Sequence, residues 1–196
     1  MKQLARLGLL GLTLLLAACG STPQSSYYHL SSKAGGGESN HPALGIGPIK
    51  IPEYLNRNAM VFKRGDNQLH IANFQRWAEP LEEGISRVMS LNLAGFLDTQ
   101  NIRRYPWSRS ETPDYGIQVW ILSLDMTASE AVLLAEWRLN KPHSGSEVLR
   151  RIGHYKSAVK GADGAAMSES YSLLLEQLSQ DIADSIASDM ASGIES

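Results

Sequence analysis

The sequence predicts an α+β fold: a mixed, mainly antiparallel sheet with two amphipathic helices packed on it, in a single compact domain. Two apolar series predict the helices. Leu81, Ile85, Val88, Met89, Leu93 and Phe96 form one, and Tyr171, Leu174, Leu175, Leu178, Ile182, Ile186 and Met190 the other. Both recur at three- and four-residue steps, the period of a helix with one buried face. Runs at Tyr115–Met126 and Ala131–Leu139 instead alternate, as strands do, and glycine and proline clusters separate the runs. Helices laid on a sheet face are a stable way to bury both patterns.

Taken in order, Tyr27-Tyr28-His29-Leu30 is a first strand, and Lys33–Pro42 a loop. Gly35-Gly36-Gly37 within it has no Lys-Ser or Lys-Thr after it, so it lacks the lysine that a phosphate loop needs. Leu44–Ile51 alternates around Gly47-Pro48, which predicts a strand with a bulge or bend. Pro52-Glu53-Tyr54-Leu55 turns the chain out of it. Ala59–Lys63 and Leu69–Phe74 flank Gly65-Asp66-Asn67 as a hairpin. A helix over about 79–100 follows, with Pro80 in its first turn and Glu79, Glu82 and Glu83 at its positive end. Asn101–Asp114 is a connection. Tyr115–Met126 is apolar on both faces, which places it in mid-sheet. With Ala131–Leu139 and the more polar Arg150–Lys160 it forms an antiparallel meander. Gly161–Gly164 breaks the chain, and Gly193 stands where the last helix would be capped.

The amino-terminal stretch sets the compartment. Lys2 and Arg6 precede an apolar run from Leu7 to Leu16, then Ala17-Ala18-Cys19, the only cysteine. A basic start, a short apolar run and small residues make a secretory signal, and the run is too short to span a bilayer. Leu16-Ala17-Ala18-Cys19 resembles a bacterial lipobox. That resemblance implies cleavage before Cys19, diacylglycerol on its sulfur and a fatty acyl chain such as palmitate on its new amine. More than one chain gives durable anchoring. The organisation is then a signal over 1–18, the lipidated Cys19 with a tether to residue 26, and a domain over 27–196. The tether Gly20–Ser26 reaches about 25 Å when extended. Gly20, where sorting rules for enterobacterial lipoproteins read Asp as retention, implies the outer membrane and a periplasmic domain.

Composition narrows the function. Loss of Lys2 and Arg6 makes a formal charge of −2 two units more negative, and no basic cluster marks a nucleic-acid partner. With Cys19 acylated no thiol is left for disulfides, catalysis or metal binding. The five histidines, His29, His41, His70, His143 and His154, lack the four-residue spacing of a helical zinc pair. No Gly-x-Ser-x-Gly elbow exposes a nucleophile. Asp114, Asp125 and Glu79 have no spacing that makes them an acid/base pair. The expectation is a protein without catalytic residues, metal or cofactor other than its covalent lipid. Trp120 and Trp137 are expected in the core or on a sheet face. Trp77 and Trp107 are candidates for exposure, with a staple onto the following helix as the alternative for Trp77.

Three stretches together carry a resemblance: Tyr27-Tyr28-His29-Leu30, Ile46-Gly47-Pro48-Ile49-Lys50-Ile51-Pro52-Glu53-Tyr54-Leu55, and Trp77-Ala78-Glu79-Pro80-Leu81-Glu82-Glu83. The mature chain resembles the ABC-type transport auxiliary lipoproteins, with Gly35-Gly36-Gly37 as an insertion-like departure. The resemblance implies a non-enzymatic subunit of an MCE-type lipid-transport system that supports envelope integrity. Its implied partners are an MCE-domain needle protein, the membrane through the acyl chains, and further copies of itself in a ring. Tyr54, Leu55, Trp77, Glu79 and Pro80 are the candidate contact residues. The competing expectation is a periplasmic lipid carrier, which needs an apolar cavity of its own.

Overall fold

The computed structural model describes residues 23–65 and 67–194. Cys19, the signal and the first residues of the tether lie outside the described residues. The strands are β1 (Ser26–Tyr28), β2 (Leu44–Lys50), β3 (Ala59–Arg64), β4 (Gln68–Trp77), β5 (Ile102–Arg104), β6 (Tyr115–Met126), β7 (Glu130–Lys141) and β8 (Ser146–Ala158). Helix α1 (Leu81–Phe96) follows β4, and helix α2 (Gly164–Ile194) closes the described chain.

The α+β class holds, but the strands divide between two sheets. The larger runs β5-β2-β6-β7-β8, the smaller β1-β4-β3. Strand β2 lies parallel to both β5 and β6, whereas β6, β7 and β8 form the expected antiparallel meander. Helix α1 packs on α2 and β2, and α2 packs on β7 and β8. Both sheets feed one core, in which Met60, Ala72 and Trp77 of the small sheet join Ile117, Leu133 and Trp137 of the large one.

Strand β7 shows the alternation most clearly: Ala131, Leu133, Ala135, Trp137 and Leu139 are all fully buried. Strand β8 is polar because it is an edge, paired on one side only, and charge along an edge opposes further pairing. Strand β6 is central as expected, yet it is not apolar on both faces. Its register shifts between Ile121 and Ser123, so Ile121 and Leu124 share the core side while Leu122 is 43% exposed. Trp120 is half-buried, with the Arg138 guanidinium 5.5 Å from its ring centre. The predicted bend in β2 is present, with Gly47 at φ 115 and a register shift between Ile46 and Ile49.

Helix boundaries moved for local reasons. Pro80 is the cap of α1 rather than a residue of its first turn, and its carbonyl accepts the Gly84 N–H at 3.0 Å. The helix stops at Phe96, short of the expected residue 100. Asp98 takes the left-handed conformation (φ 49), and the Thr99 N–H returns to the Ala94 carbonyl at 2.9 Å. That is the hydrogen-bond pattern of a Schellman stop with aspartate in the place usually held by glycine. Asp98 serves there as a junction, since its side chain accepts the Glu38 N–H and its carbonyl the Ser39 N–H, both at 3.0 Å. At the start of α2, Asp163 Oδ1 accepts the Ala166 N–H at 2.9 Å and caps the helix. Gly193 does not end α2, which continues through it to Ile194.

Candidate anchoring and docking surfaces

The first described residues lead from the tether into β1, which lies parallel to β4 with Ser26 opposite Gln75 and Tyr28 opposite Trp77. The segment is then fastened to both helices. The His29 carbonyl accepts the Ser168 hydroxyl at 2.5 Å, and Ser172 Oγ accepts the Ser31 N–H at 3.0 Å. Arg87 donates to the Leu30 carbonyl at 2.9 Å, and the Ser32 hydroxyl to Asn92 Oδ1 at 2.5 Å. Leu30 between these bonds is 1% exposed. The partners of this segment are polar residues on otherwise apolar helices. Sequence reasoning missed Arg87, Asn92, Ser168 and Ser172; the available signal was Arg87 and Asn92 interrupting the apolar series of α1.

The two longer motifs meet. The Trp77 N–H donates to the Asn58 carbonyl at 2.7 Å, which brings the end of β4 beside the turn after β2. Their candidate residues separate by depth. Leu55 is 3% and Trp77 5% exposed, so the expectation that they present themselves to a partner is corrected. Both side chains are apolar and lie in the core cluster, and the Trp77 indole stacks on Tyr171 with ring centres 6.0 Å apart. Trp77 is thus buried rather than exposed, and the ring it stacks on belongs to α2, not to α1, the helix it precedes. Tyr54 and Glu79 are half-buried, and Pro80 is exposed beside Ala78. Glu79 is bound by Arg87 in an ion pair. Asn56, Arg57 and Asn58 remain exposed next to this cluster.

Tyr54 has an internal task. Pairing of β2 with β6 ends at Lys50 and Trp120, which leaves the Leu124 peptide groups beyond the end of β2. The Leu124 N–H donates to the Tyr54 hydroxyl at 3.3 Å, and the Leu124 carbonyl accepts the Tyr171 hydroxyl at 3.1 Å. Tyr54 in turn donates to Asp125 Oδ1 at 3.1 Å. Burial, then the Asp125 carboxylate, pushes the Tyr54 hydroxyl up to about 12, although its bond from Leu124 acts the other way. Two further tyrosines tie the large sheet to α2. Tyr115 donates to Asp189 Oδ2 at 2.6 Å and Tyr155 to Asp181 Oδ2 at 2.8 Å. Burial raises both hydroxyls, as it does Tyr171. Hydrogen bonds from Lys141 and Tyr115 lower Asp189 below the usual carboxylate value.

Four of the histidines are exposed and His70 is half-buried, facing Phe62 at 6.5 Å between ring centres. Among the described residues no group of three or more His, Cys, Asp or Glu could hold a metal ion, and no helix is long and apolar enough to cross a membrane. Two open grooves flank the entry strand. One of about 430 Å³ runs between Tyr27–Lys33 and the first half of α2, with Glu169 and Glu176 on its wall. The other, about 470 Å³, lies between the β3–β4 hairpin and the turn after β6.

Residues 28–183 match the model of a family described as the ABC-type transport auxiliary lipoprotein component. The chain belongs to this family. The match spans the fold from Tyr28 in β1 to Ala183 in α2 and includes both longer motifs. The transport auxiliary lipoproteins it resembles include the intermembrane transport lipoprotein PqiC of Escherichia coli K12. The two are 25% identical over 150 residues, which is 70% of this chain and 74% of that protein. The same figures hold for PqiC of Shigella flexneri. Among solved structures, that of an uncharacterised protein superposes with a TM-score of 0.69 at 22% identity, over 84% of this chain and 99% of the other. A protein from Xanthomonas campestris gives 0.67 at 12% identity, over 86% and 99%. At such identities these two likenesses establish the shared fold. As a member of its family the chain is a transport auxiliary lipoprotein.

Proposed function

We propose that this lipoprotein is a non-enzymatic docking subunit of an MCE-type intermembrane lipid-transport complex, held at the periplasmic face of the outer membrane by acyl chains on Cys19. The likeness to PqiC, a protein named for intermembrane transport, carries the reading. A tether of about 25 Å keeps the domain beside its membrane, so its partner must reach it. An MCE-domain needle protein of the PqiB type has the required form. A ring of these subunits would multiply weak contacts through effective concentration. The exposed cluster of Pro80, Ala78 and Asn56–Asn58 is the docking surface this reading selects, with buried Trp77 and Leu55 supporting it from beneath.

Affinity purification of the full lipidated chain in detergent, with mass measurement of the recovered complex, tests the proposal. The expected result is a homo-oligomer that brings down an MCE-domain protein. A monomer recovered with no MCE protein would refute it. The carrier reading needs an enclosed apolar cavity, whereas the two grooves beside the entry strand are open and the core residues form one cluster.

A further inference from the structure

The groove beneath the β3–β4 hairpin differs in chemistry from the rest of an acidic chain. Its apolar lining comes from Phe62, Ala72, Phe74 and Met126. Ala72 and Met126 are buried beneath it, whereas Phe74 is 43% exposed. Its polar margin carries Lys63, Arg64 and His70, and no carboxylate is among the described residues that line it. Asp125 stands just outside, with Oδ2 3.6 Å from Lys63 Nζ, so among the described residues Lys63 is partly neutralised and Arg64 is the freer cation. The neighbouring groove along α2 mixes Lys33 and His29 with Glu169 and Glu176 and favours neither sign.

Position adds to composition. Asn73, Phe74 and Gln75 line this groove, and Ser26 lies opposite Gln75 in the parallel pairing of β1 with β4. The tether therefore enters at the end of the groove, and its reach of about 25 Å sets the groove close to the lipid surface. This nearness rests on the anchoring reading above. A volume of about 470 Å³ falls in the range of small-molecule sites. Strand β4 is flanked by β1 and β3, so the groove offers apolar side chains rather than a free strand edge to a peptide.

We propose that this groove takes one acyl chain of an anionic phospholipid from the adjacent membrane, with the phosphate against Arg64 and Lys63. The apolar floor then receives methylenes, the cations receive the headgroup charge, and the docking subunit holds a lipid at the membrane end of the transport path.

The test is native mass spectrometry of the full lipidated chain released from nanodiscs of mixed phosphatidylethanolamine and phosphatidylglycerol. One phosphatidylglycerol should remain bound above the mass of the acylated chain. Arg64→Glu should lower that retention about fivefold or more, the scale of one basic contact with an anionic lipid surface. Phe74→Asp should lower it too, while Leu122→Asp, which alters an equally exposed side chain elsewhere, should not. Melting curves of each variant separate loss of binding from loss of fold. Equal retention by wild type, Arg64→Glu and Phe74→Asp would overturn the proposal, as would equal retention of the two phospholipids. Retention of an added glutamate-rich peptide in place of lipid would overturn it in favour of a protein ligand. The same spectrum weighs the acyl groups on Cys19. An acylated chain without bound lipid sinks the groove and spares the anchor; bound lipid on an unacylated chain does the reverse.

Discussion

Trp77→Ala separates a packing role from a docking role. The indole is 5% exposed and stacks on Tyr171 at 6.0 Å with the rings 26° from parallel. Truncating a buried tryptophan costs about 3–5 kcal/mol, and loss of an aromatic pair accounts for about 0.5–1.5 kcal/mol of such changes. The backbone bond from the Trp77 N–H to Asn58 does not depend on the side chain and should survive. In a domain of this size each kcal/mol lowers the melting temperature by about 2–4 °C, which gives a fall of roughly 6–20 °C. Circular dichroism melting of the full chain in detergent measures it, with partner recovery assayed well below the lower transition. The folded variant should still recover the partner, because the exposed residues over Trp77 are unchanged. A melting temperature within about 2 °C of wild type, combined with loss of partner, would refute the assignment of the indole to the core.

Leu178→Ala removes a fully buried side chain from the middle of α2 and should cost about 2–5 kcal/mol, read as a lower denaturant midpoint. Raised hydroxyls at Tyr54, Tyr115, Tyr155 and Tyr171 mean that the native state keeps protons the unfolded chain releases. Their contribution is whole below about pH 10 and falls above it, by up to about 1.4 kcal/mol per pH unit for each tyrosine. Tyr54→Phe should flatten that alkaline decline between pH 10 and about 12 in a series of denaturant titrations. Cys19→Ala should abolish acyl labelling and move the protein to the soluble fraction, whereas labelled protein still on the membrane would show that another residue is the anchor. In an enterobacterial host, Gly20→Asp should shift the protein from outer- to inner-membrane fractions on a density gradient.

Periodicity made most of the fold legible. The alternation through Ala131–Leu139 and the helical series from Tyr171 to Ile186 depend only on which side of an element faces the core, and both appear as expected, whereas Met190, the last residue of that series, is 39% exposed. What escaped was set by contacts between distant residues. Strand β5 is three residues long and exists by pairing with Leu44–Ile46, so its own sequence gives little sign of it. The bulge between Ile121 and Ser123 brought Leu124 and Met126 round to the core side, and no glycine marks it. The stop of α1 uses aspartate where a reader expects glycine. At the candidate surfaces, the motifs were visible but their depth was not. An aromatic residue before a proline-led helix suits a surface or a staple equally, and only the position of Tyr171, 94 residues away, decides for burial. The cation-rimmed groove was invisible because its walls come from β3, β4, and the segments after β6 and β8.

The way the entry strand is fastened bears on force. On the proposed docking role the chain is a mechanical link between its membrane and a long partner, and every pull on the anchor passes through Ser26. Strand β1 is only three residues long, yet the load does not rest on its ladder alone. Ser168, Arg87, Ser172 and Asn92 hold His29, Leu30, Ser31 and Ser32 in succession, and buried Leu30 acts as a cleat among them. Tension at the membrane is thereby spread over α1, α2 and the small sheet before it reaches the central strands. On that proposed role, the domain is tugged from its anchor while the exposed surface over Trp77 keeps its shape.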